Sequence, residues 1–176
     1  YLGCSDDTDG FFGELYGRAT GCAEGKAGSM HLTSPENGLF LTSAVVATTI
    51  PVAVGAALAH QYQGISDPVI VFFGDGAMEE GAFWESLNFA CLKKLRILFV
   101  CEDNELAIHS LRKDRQGFKS IREVLKGFPC YFAEEKGIDP RKTFELAVQM
   151  RTSMDKEPGP AFLHFEYFRF LEHVGI

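Results

Sequence analysis

An aspartate and an asparagine follow two apolar runs that each have the length of a buried strand. Asp75 comes just after the run PVIVFF (68–73), between two glycines, and Asn104 ends the sequence EDN after the run RILFVC (96–101). Carboxylate and amide oxygens are the hard ligands that Mg²⁺ or Ca²⁺ requires, and phosphate oxygens can complete the coordination. These residue types indicate a divalent-cation site if the fold brings Asp75 and Asn104 together.

The segment between the two runs has the pattern of a helix. Between residues 78 and 94, four apolar residues share one helical face: Phe83, Leu87, Ala90 and Cys91. Strand, helix and strand then form a right-handed crossover unit, which makes the two strands parallel neighbours. Ligands bind at the carboxyl edge of such a sheet, so we expect Asp75 and Asn104 to meet there.

The glycines beside Asp75 allow a sharp turn and a close approach of the backbone. The free N–H groups at the start of the following helix can receive a diphosphate, and Asp75 is expected at an exposed strand end. Glu79 and Glu80 are interpreted as a solvated helix start. An Asp-Gly pair after a strand is also common as a simple turn, and the second polar strand end at Asn104 favours the ligand site.

The rest of the chain continues the alternation of helices and strands. Helices are predicted from about Pro51 to Gly64 and from Asp139 to Lys156, and strands at CYFAEE (130–135) and AFLHFEYF (161–168). This order predicts an α/β fold whose parallel sheet is covered by helices on both faces. We expect a single domain over residues 1–176.

Composition excludes several classes of function. A formal charge of −7 argues against general binding of nucleic acid. The five cysteines are an odd number without a C-x-x-C pair, and Cys91 and Cys101 lie in apolar surroundings typical of core residues. The run AVVATTIPVAVGAALA is too short and too rich in threonine to span a membrane. We therefore predict a cytoplasmic protein without membrane association.

The segment from GDG to EDN resembles the thiamine-diphosphate motif, which opens with Gly-Asp-Gly and closes with asparagine. The segments GRATGCAEGKAGSMHL, PVAVGAALA and FRFLEHVG resemble the alpha subunit of the 2-oxo acid dehydrogenases and of acetoin dehydrogenase. The resemblance implies the thiamine-diphosphate-binding fold. It also implies decarboxylation of a 2-oxo acid, or cleavage of acetoin, with transfer to a lipoyl group. The implied partners are a beta subunit, in an α2β2 assembly, and a lipoyl-bearing acyltransferase.

The resemblance also assigns the diphosphate end of the site. The family's Mg²⁺ ligands correspond to Asp75, Asn104 and the carbonyl of Leu106. The backbone of Gly76 and Ala77 corresponds to the family's diphosphate contacts.

Residues elsewhere in the chain correspond to the rest of the cofactor site. SAVVA matches the stretch that lines the aminopyrimidine, which implies Ala44 and Val46, and His173 has the place of the histidine near the reacting carbon. A histidine there suits proton transfer, although a solvated terminal histidine is an equally good interpretation. His31 follows a glycine-rich loop that begins at Thr20. The backbone of this loop can approach another group closely, and His31 is either structural or a weaker site candidate.

The sequence differs from the family pattern in two ways, and two other interpretations of its function remain open. Family alpha subunits are longer, and their upstream Tyr-Arg segment is absent, so we expect the sequence to be the middle of a subunit. A haloacid-dehalogenase-like phosphatase also places Gly-Asp-Gly at a strand end. However, it needs a nucleophilic aspartate after an amino-terminal strand, and YLGCS before DDTDG (6–10) is not such a strand. A non-catalytic subunit that binds partner chains is the other alternative.

Overall fold

The computed structural model describes residues 1–137 and 139–174. The chain forms two compact units, Tyr1–Thr49 and Ile50–Ile176. The prediction of one domain over the whole chain stays a prediction.

Helices and strands alternate along the chain. The elements are α1 (Thr8–Leu15), α2 (Thr49–Gln63), β1 (Val69–Gly74), α3 (Gly81–Lys93), β2 (Ile97–Asp103), β3 (Leu106–Ala107), β4 (Ser110–Leu111), α4 (Ile121–Leu125), β5 (Tyr131–Lys136), α5 (Pro140–Lys156) and β6 (Ala161–Glu166). Four of the strands form one sheet in the order β1-β2-β6-β5, and every neighbouring pair is parallel. The short strands β3 and β4 form a separate antiparallel hairpin.

Alternate residues of β2 pack against helices on opposite faces of the sheet. Leu98 and Val100 belong to a buried cluster with Met154 of α5, whereas Phe99 makes an edge-on contact with Phe83 of α3, at 6.3 Å between ring centroids. Successive side chains of a strand point to opposite faces, which places the two helices on opposite sides of the sheet. The predicted parallel sheet with helices on both faces is confirmed.

Helix starts agree with the sequence in one case and differ in another. The carboxylate of Asp139 accepts a hydrogen bond from the Arg141 amide at 2.9 Å and caps α5, which begins at Pro140 in agreement with the helix predicted from Asp139 to Lys156. The helix predicted from Met78 begins later, at Gly81, after a 3₁₀ turn over Asp75–Glu79. Met78 is buried within that turn, so tertiary packing decides where α3 starts.

Two buried cysteines belong to the core, as predicted. Cys91 lies on α3 and Cys101 on β2. Burial raises the pKa of the Cys91 thiol to about 11, so it stays protonated and unreactive near neutral pH. Within the described ranges, every helix falls short of the length and apolar character that crossing a bilayer requires.

In the first unit, the glycine-rich loop closes around a carboxylate of the chain itself. Glu14, on α1, is only 1% exposed. Its Oε2 accepts hydrogen bonds from the amides of Ala23 and Gly25 at 2.9 and 2.8 Å. Its Oε1 accepts from Ala27 and Gly28 at 2.5 and 3.1 Å. The loop backbone therefore makes a close approach, as expected, and the group that it approaches is the Glu14 carboxylate.

The Glu14 carboxylate should make the stability of the protein depend on acid pH. Burial acts to raise the pKa of Glu14, but the four amide hydrogen bonds outweigh it, and the pKa lies below the ordinary value of 4.5. The stabilisation is thus present above about pH 4.5 and is lost as the pH falls through the folded-state pKa. Glu14→Gln should lower the free energy of unfolding at about pH 7, since an amide oxygen cannot replace both acceptors.

Urea unfolding at about pH 7 and about pH 3 measures the effect, which should shrink at the lower pH. Glu24→Gln is the matched control, because the Glu24 side chain is exposed and pairs with the exposed side chain of Lys26. An equal deficit for Glu14→Gln at both pH values would contradict a charge-dependent role.

Candidate functional site

The carboxyl ends of β1 and β2 lie side by side, as the spacing of the two polar residues predicts. In the parallel register, Gly74 is opposite Glu102. Asp75 follows one residue beyond that pair and Asn104 two residues beyond it. The fold therefore brings the two predicted cation ligands to one edge of the sheet.

Asp75 is buried, which corrects the expectation of an exposed strand end. It begins the 3₁₀ turn and is only 1% exposed. The reason is Arg115, whose Nη2 donates to Asp75 Oδ2 at 2.6 Å. A second guanidinium nitrogen, Nη1, pairs with Glu79. Glu79 is therefore half of an ion pair and not part of a freely solvated helix start.

The segment around Arg115 makes further contacts with the β1 turn. Arg115 Nε donates to the Ser110 carbonyl at 3.0 Å, and Gln116 Nε2 lies 3.4 Å from the Asp75 carbonyl. A Cβ atom added to Gly76 would lie 2.9 Å from Ala107 Cβ, closer than real side chains approach. Glycine is needed at position 76 because the β3–β4 hairpin packs directly against this turn.

Asn104 is held in place by hydrogen bonds on both ends of its amide. Its Oδ1 accepts from the Leu106 amide at 3.0 Å, and its Nδ2 donates to Tyr167 Oη at 3.1 Å. Glu105, between the predicted ligands Asn104 and Leu106, has a φ of 63°. This left-handed residue turns the chain sharply and leads Leu106 into β3.

Asp103, next to Asn104, lies at the centre of a buried polar network. It is 1% exposed and accepts from His164 Nε2 at 2.9 Å, from the Glu105 amide at 2.8 Å and from Arg112 Nη1. Burial acts to raise the pKa of Asp103, but the His164 and amide hydrogen bonds and the Arg112 charge lower it below the ordinary value. Asp103 therefore stays ionised near neutral pH.

The site contains four residues that the sequence did not predict: Asp103, Arg112, Arg115 and His164. One signal was present: His164 interrupts the otherwise apolar start of β6, and a polar residue in a buried strand needs a hydrogen-bond partner. The two arginines carry no such signal, because they lie in a segment without helical or strand periodicity.

Asp103, His164 and Glu166 have possible metal-ligand atoms within 4.8 Å of one another. Arg112 already pairs with Asp103, and its Nη1 is 3.9 Å from Glu166 Oε1. The guanidinium supplies the positive charge that a metal ion would bring. We therefore interpret the cluster as an ion-pair network.

A cavity of about 690 Å³ opens beside this network. Asp103, Arg112 and His164 are among its lining residues, whereas Asp75 and Asn104 are not. The cavity therefore borders the ion-pair network, and the Asp75 carboxylate and the Asn104 amide are not among its lining groups.

Ala77 is buried in the 3₁₀ turn that begins with Asp75. The predicted residues outside the two strand-end turns are exposed in irregular structure. Ala44, Val46 and His31 lie in bends and turns of the first unit, and His173 lies in a bend near the end of the second. Gly175, the last residue of the FRFLEHVG segment, lies outside the described residues. The proposed roles of these residues stay predictions.

A sequence model of the family described as dehydrogenase E1 component matches residues 2–175. The chain is 36% identical over 166 residues to the chloroplastic pyruvate dehydrogenase E1 component subunit alpha-3 of Arabidopsis thaliana. That match covers 91% of this chain but only 39% of the relative, so the chain spans less than half the length of this relative.

Two solved structures share the fold. A transketolase from Leishmania mexicana superposes with a TM-score of 0.60 at 17% identity, over 71% of this chain and 20% of the transketolase. A putative thiamin diphosphate-dependent enzyme from Mycobacterium smegmatis gives 0.57 at 25% identity, over 76% of this chain and 25% of that one. These likenesses confirm the predicted thiamine-diphosphate-binding fold.

The burial of Asp75 leads to a test of its pairing with Arg115. Asp75→Ala should lower the free energy of unfolding of the metal-free protein by about 2 kcal/mol, because it removes one of the two carboxylates that pair with the largely buried Arg115 guanidinium. Asp75→Ala combined with Arg115→Ala should cost about 1 kcal/mol less than the sum of the single changes.

Denaturant unfolding measures both quantities. Glu80→Ala is the control, since Glu80 is an exposed acidic residue at the start of α3. Strictly additive effects of the two single changes would show that Asp75 and Arg115 do not stabilise each other.

Proposed function

This chain belongs to the family of dehydrogenase E1 components, and on that premise we propose that it holds the diphosphate end of thiamine diphosphate in a 2-oxo acid dehydrogenase. One observation carries the proposal: Asp75 and Asn104 stand at the adjoining carboxyl ends of two parallel strands. This is the edge of an α/β sheet where ligands bind.

The residues present fit a divalent cation. We propose that Mg²⁺ is held by the Asp75 carboxylate, the Asn104 amide oxygen and the Leu106 carbonyl, all of them hard oxygen donors. The amides of Gly76 and Ala77 would hold the diphosphate. The chemistry that thiamine diphosphate supplies when bound is stabilisation of the negative charge left on a carbonyl carbon after bond cleavage.

The other site residues belong to the same proposal on the family resemblance alone. Ala44 and Val46 would line the aminopyrimidine through their backbone and small side chains. His173 would hold or move a proton near the reacting carbon, a role that suits an imidazole near neutral pH.

We propose a 2-oxo acid related to pyruvate as the substrate, with acetoin as the second candidate. The name of the Arabidopsis relative, a pyruvate dehydrogenase subunit, supports the first. The acceptor would be the lipoyl group of an acyltransferase. The partner would be a beta subunit in an α2β2 assembly, for which exposed apolar side chains offer support. Ile70 and Phe72, on the edge strand β1, are 50% and 62% exposed.

The alternatives have less support. In the phosphatase interpretation the nucleophile would come from residues 6–10, but Asp7 caps α1, accepting from the Gly10 amide at 2.8 Å. That segment does not follow a strand. A non-catalytic partner-binding subunit would lack metal-dependent cofactor binding. Location in the cytoplasm stays a prediction, and the Arabidopsis relative is chloroplastic.

The complete protein should bind thiamine diphosphate only with a divalent cation. Ligand that binds only the folded state stabilises it by about 2.7 kcal/mol at a hundredfold excess over Kd. The melting temperature should therefore rise with thiamine diphosphate plus Mg²⁺ and not with either alone.

Asn104→Ala should reduce the shift, whereas Asn88→Ala, an exposed asparagine of α3, should not. An undiminished shift in excess chelator would remove the cation from the proposal.

The subunit should show no turnover by itself. In the family, the carboxylate that would help thiamine diphosphate lose its proton lies at the aminopyrimidine and belongs to the beta subunit. Glu79 is paired with Arg115 at the opposite, diphosphate end of the proposed site. The purified subunit would be assayed with cofactor, Mg²⁺ and a panel of 2-oxo acids, with and without a cognate beta subunit. Appreciable decarboxylation by the single subunit would contradict a divided site.

A further inference from the structure

One short segment, residues 112–116, reaches the ends of both strands that lead to the proposed cation ligands. We call it the arginine segment. Arg112 pairs with Asp103 at the end of β2, and Arg115 pairs with Asp75 just after β1. Each aspartate is only 1% exposed. Two buried carboxylates on neighbouring strands therefore receive their positive charge from residues three positions apart.

At the β2 end, Arg112 holds the turn that contains Asn104. Its Nη2 donates to Glu105 Oε1 at 2.8 Å, and its amide donates to the Glu105 carbonyl at 2.8 Å. Asp103 accepts from the Glu105 amide on the other side. Glu105 thus keeps a left-handed conformation, unfavourable for most side chains, because contacts from both sides hold it there.

At the β1 end, Arg115 and Gln116 hold the turn that begins with Asp75. The Arg115 guanidinium is anchored independently by Glu79 and by the Ser110 carbonyl. Its position therefore does not depend on Asp75 alone. Gln116 Nε2 adds a hydrogen bond of 3.3 Å to Glu79 Oε1.

We propose that Arg112 and Arg115 are positioning residues of the divalent-cation site. By holding one strand-end turn each, they fix the separation and orientation of the Asp75 carboxylate and the Asn104 turn. A guanidinium donates through a rigid planar fork, which fixes the orientation of a carboxylate as well as its charge. Groups that orient metal ligands in this way contribute strongly to metal affinity. The inference rests on the proposed function, because that assigns the cation to Asp75 and Asn104.

The test separates geometry from charge. Arg112→Lys and Arg115→Lys keep one positive charge but lose the fork. The complete protein, in the subunit assembly in which it purifies, would be titrated with Mn²⁺ in the presence of thiamine diphosphate and followed by electron paramagnetic resonance. Each variant should bind Mn²⁺ about 10- to 100-fold more weakly. The spectrum of the bound ion should also broaden, because its ligands are less well ordered.

Lys113→Arg is the matched control, since Lys113 is an exposed basic residue between the two arginines. Its Mn²⁺ affinity and spectrum should equal those of the wild type. Gln116→Ala provides a milder variant, with an expected weakening of about tenfold, should a lysine variant fail to fold. Unfolding of each protein without metal monitors the fold separately.

The outcomes are distinct. Wild-type protein that does not bind Mn²⁺ would overturn the proposed function and the positioning role with it. Wild-type binding with unchanged affinity and spectrum in the variants would overturn the positioning role alone. Tighter Mn²⁺ binding in Arg115→Lys would also overturn it, because Arg115 would then be a competitor of the metal for Asp75.

Discussion

Two buried carboxylates at the ends of adjacent strands require positive charge beside them, and the local structure depends on which residues supply that charge. Asp75 and Asp103 are almost completely removed from water, and an isolated buried carboxylate is too costly to remain ionised. Arg115 and Arg112 supply the compensating charge. The hairpin of β3 and β4, the 3₁₀ turn after β1 and the left-handed Glu105 are all held by groups of this network.

The sheet and its register could be predicted because they follow from local patterns. The apolar runs of β1 and β2, with a helical pattern between them, are sufficient to place Asp75 and Asn104 at one edge. The environment of Asp75 could not be predicted in this way. Arg115 lies forty positions further on, in a segment with no periodicity, and its contact depends on how the hairpin folds back. Asp75 was therefore expected to be exposed.

The glycine-rich loop of the first unit shows a related limit. Its three glycines, Gly21, Gly25 and Gly28, correctly indicated that the backbone approaches another group closely. That group is Glu14, a residue of the same unit, whose carboxylate accepts four amide hydrogen bonds. A carboxylate of the chain and a bound anion satisfy backbone N–H groups in the same manner, so the pattern of glycines alone does not distinguish them.

The contact between Gly76 and Ala107 links the substitutions that these two positions can accept. A side chain at position 76 would overlap the methyl group of Ala107, which itself belongs to the hairpin that follows Asn104. Among natural variants of this protein, the two positions should consequently change together: a residue larger than glycine at position 76 requires glycine at position 107. Sequence variation across the strand-end turns is thus coupled by volume as well as by charge.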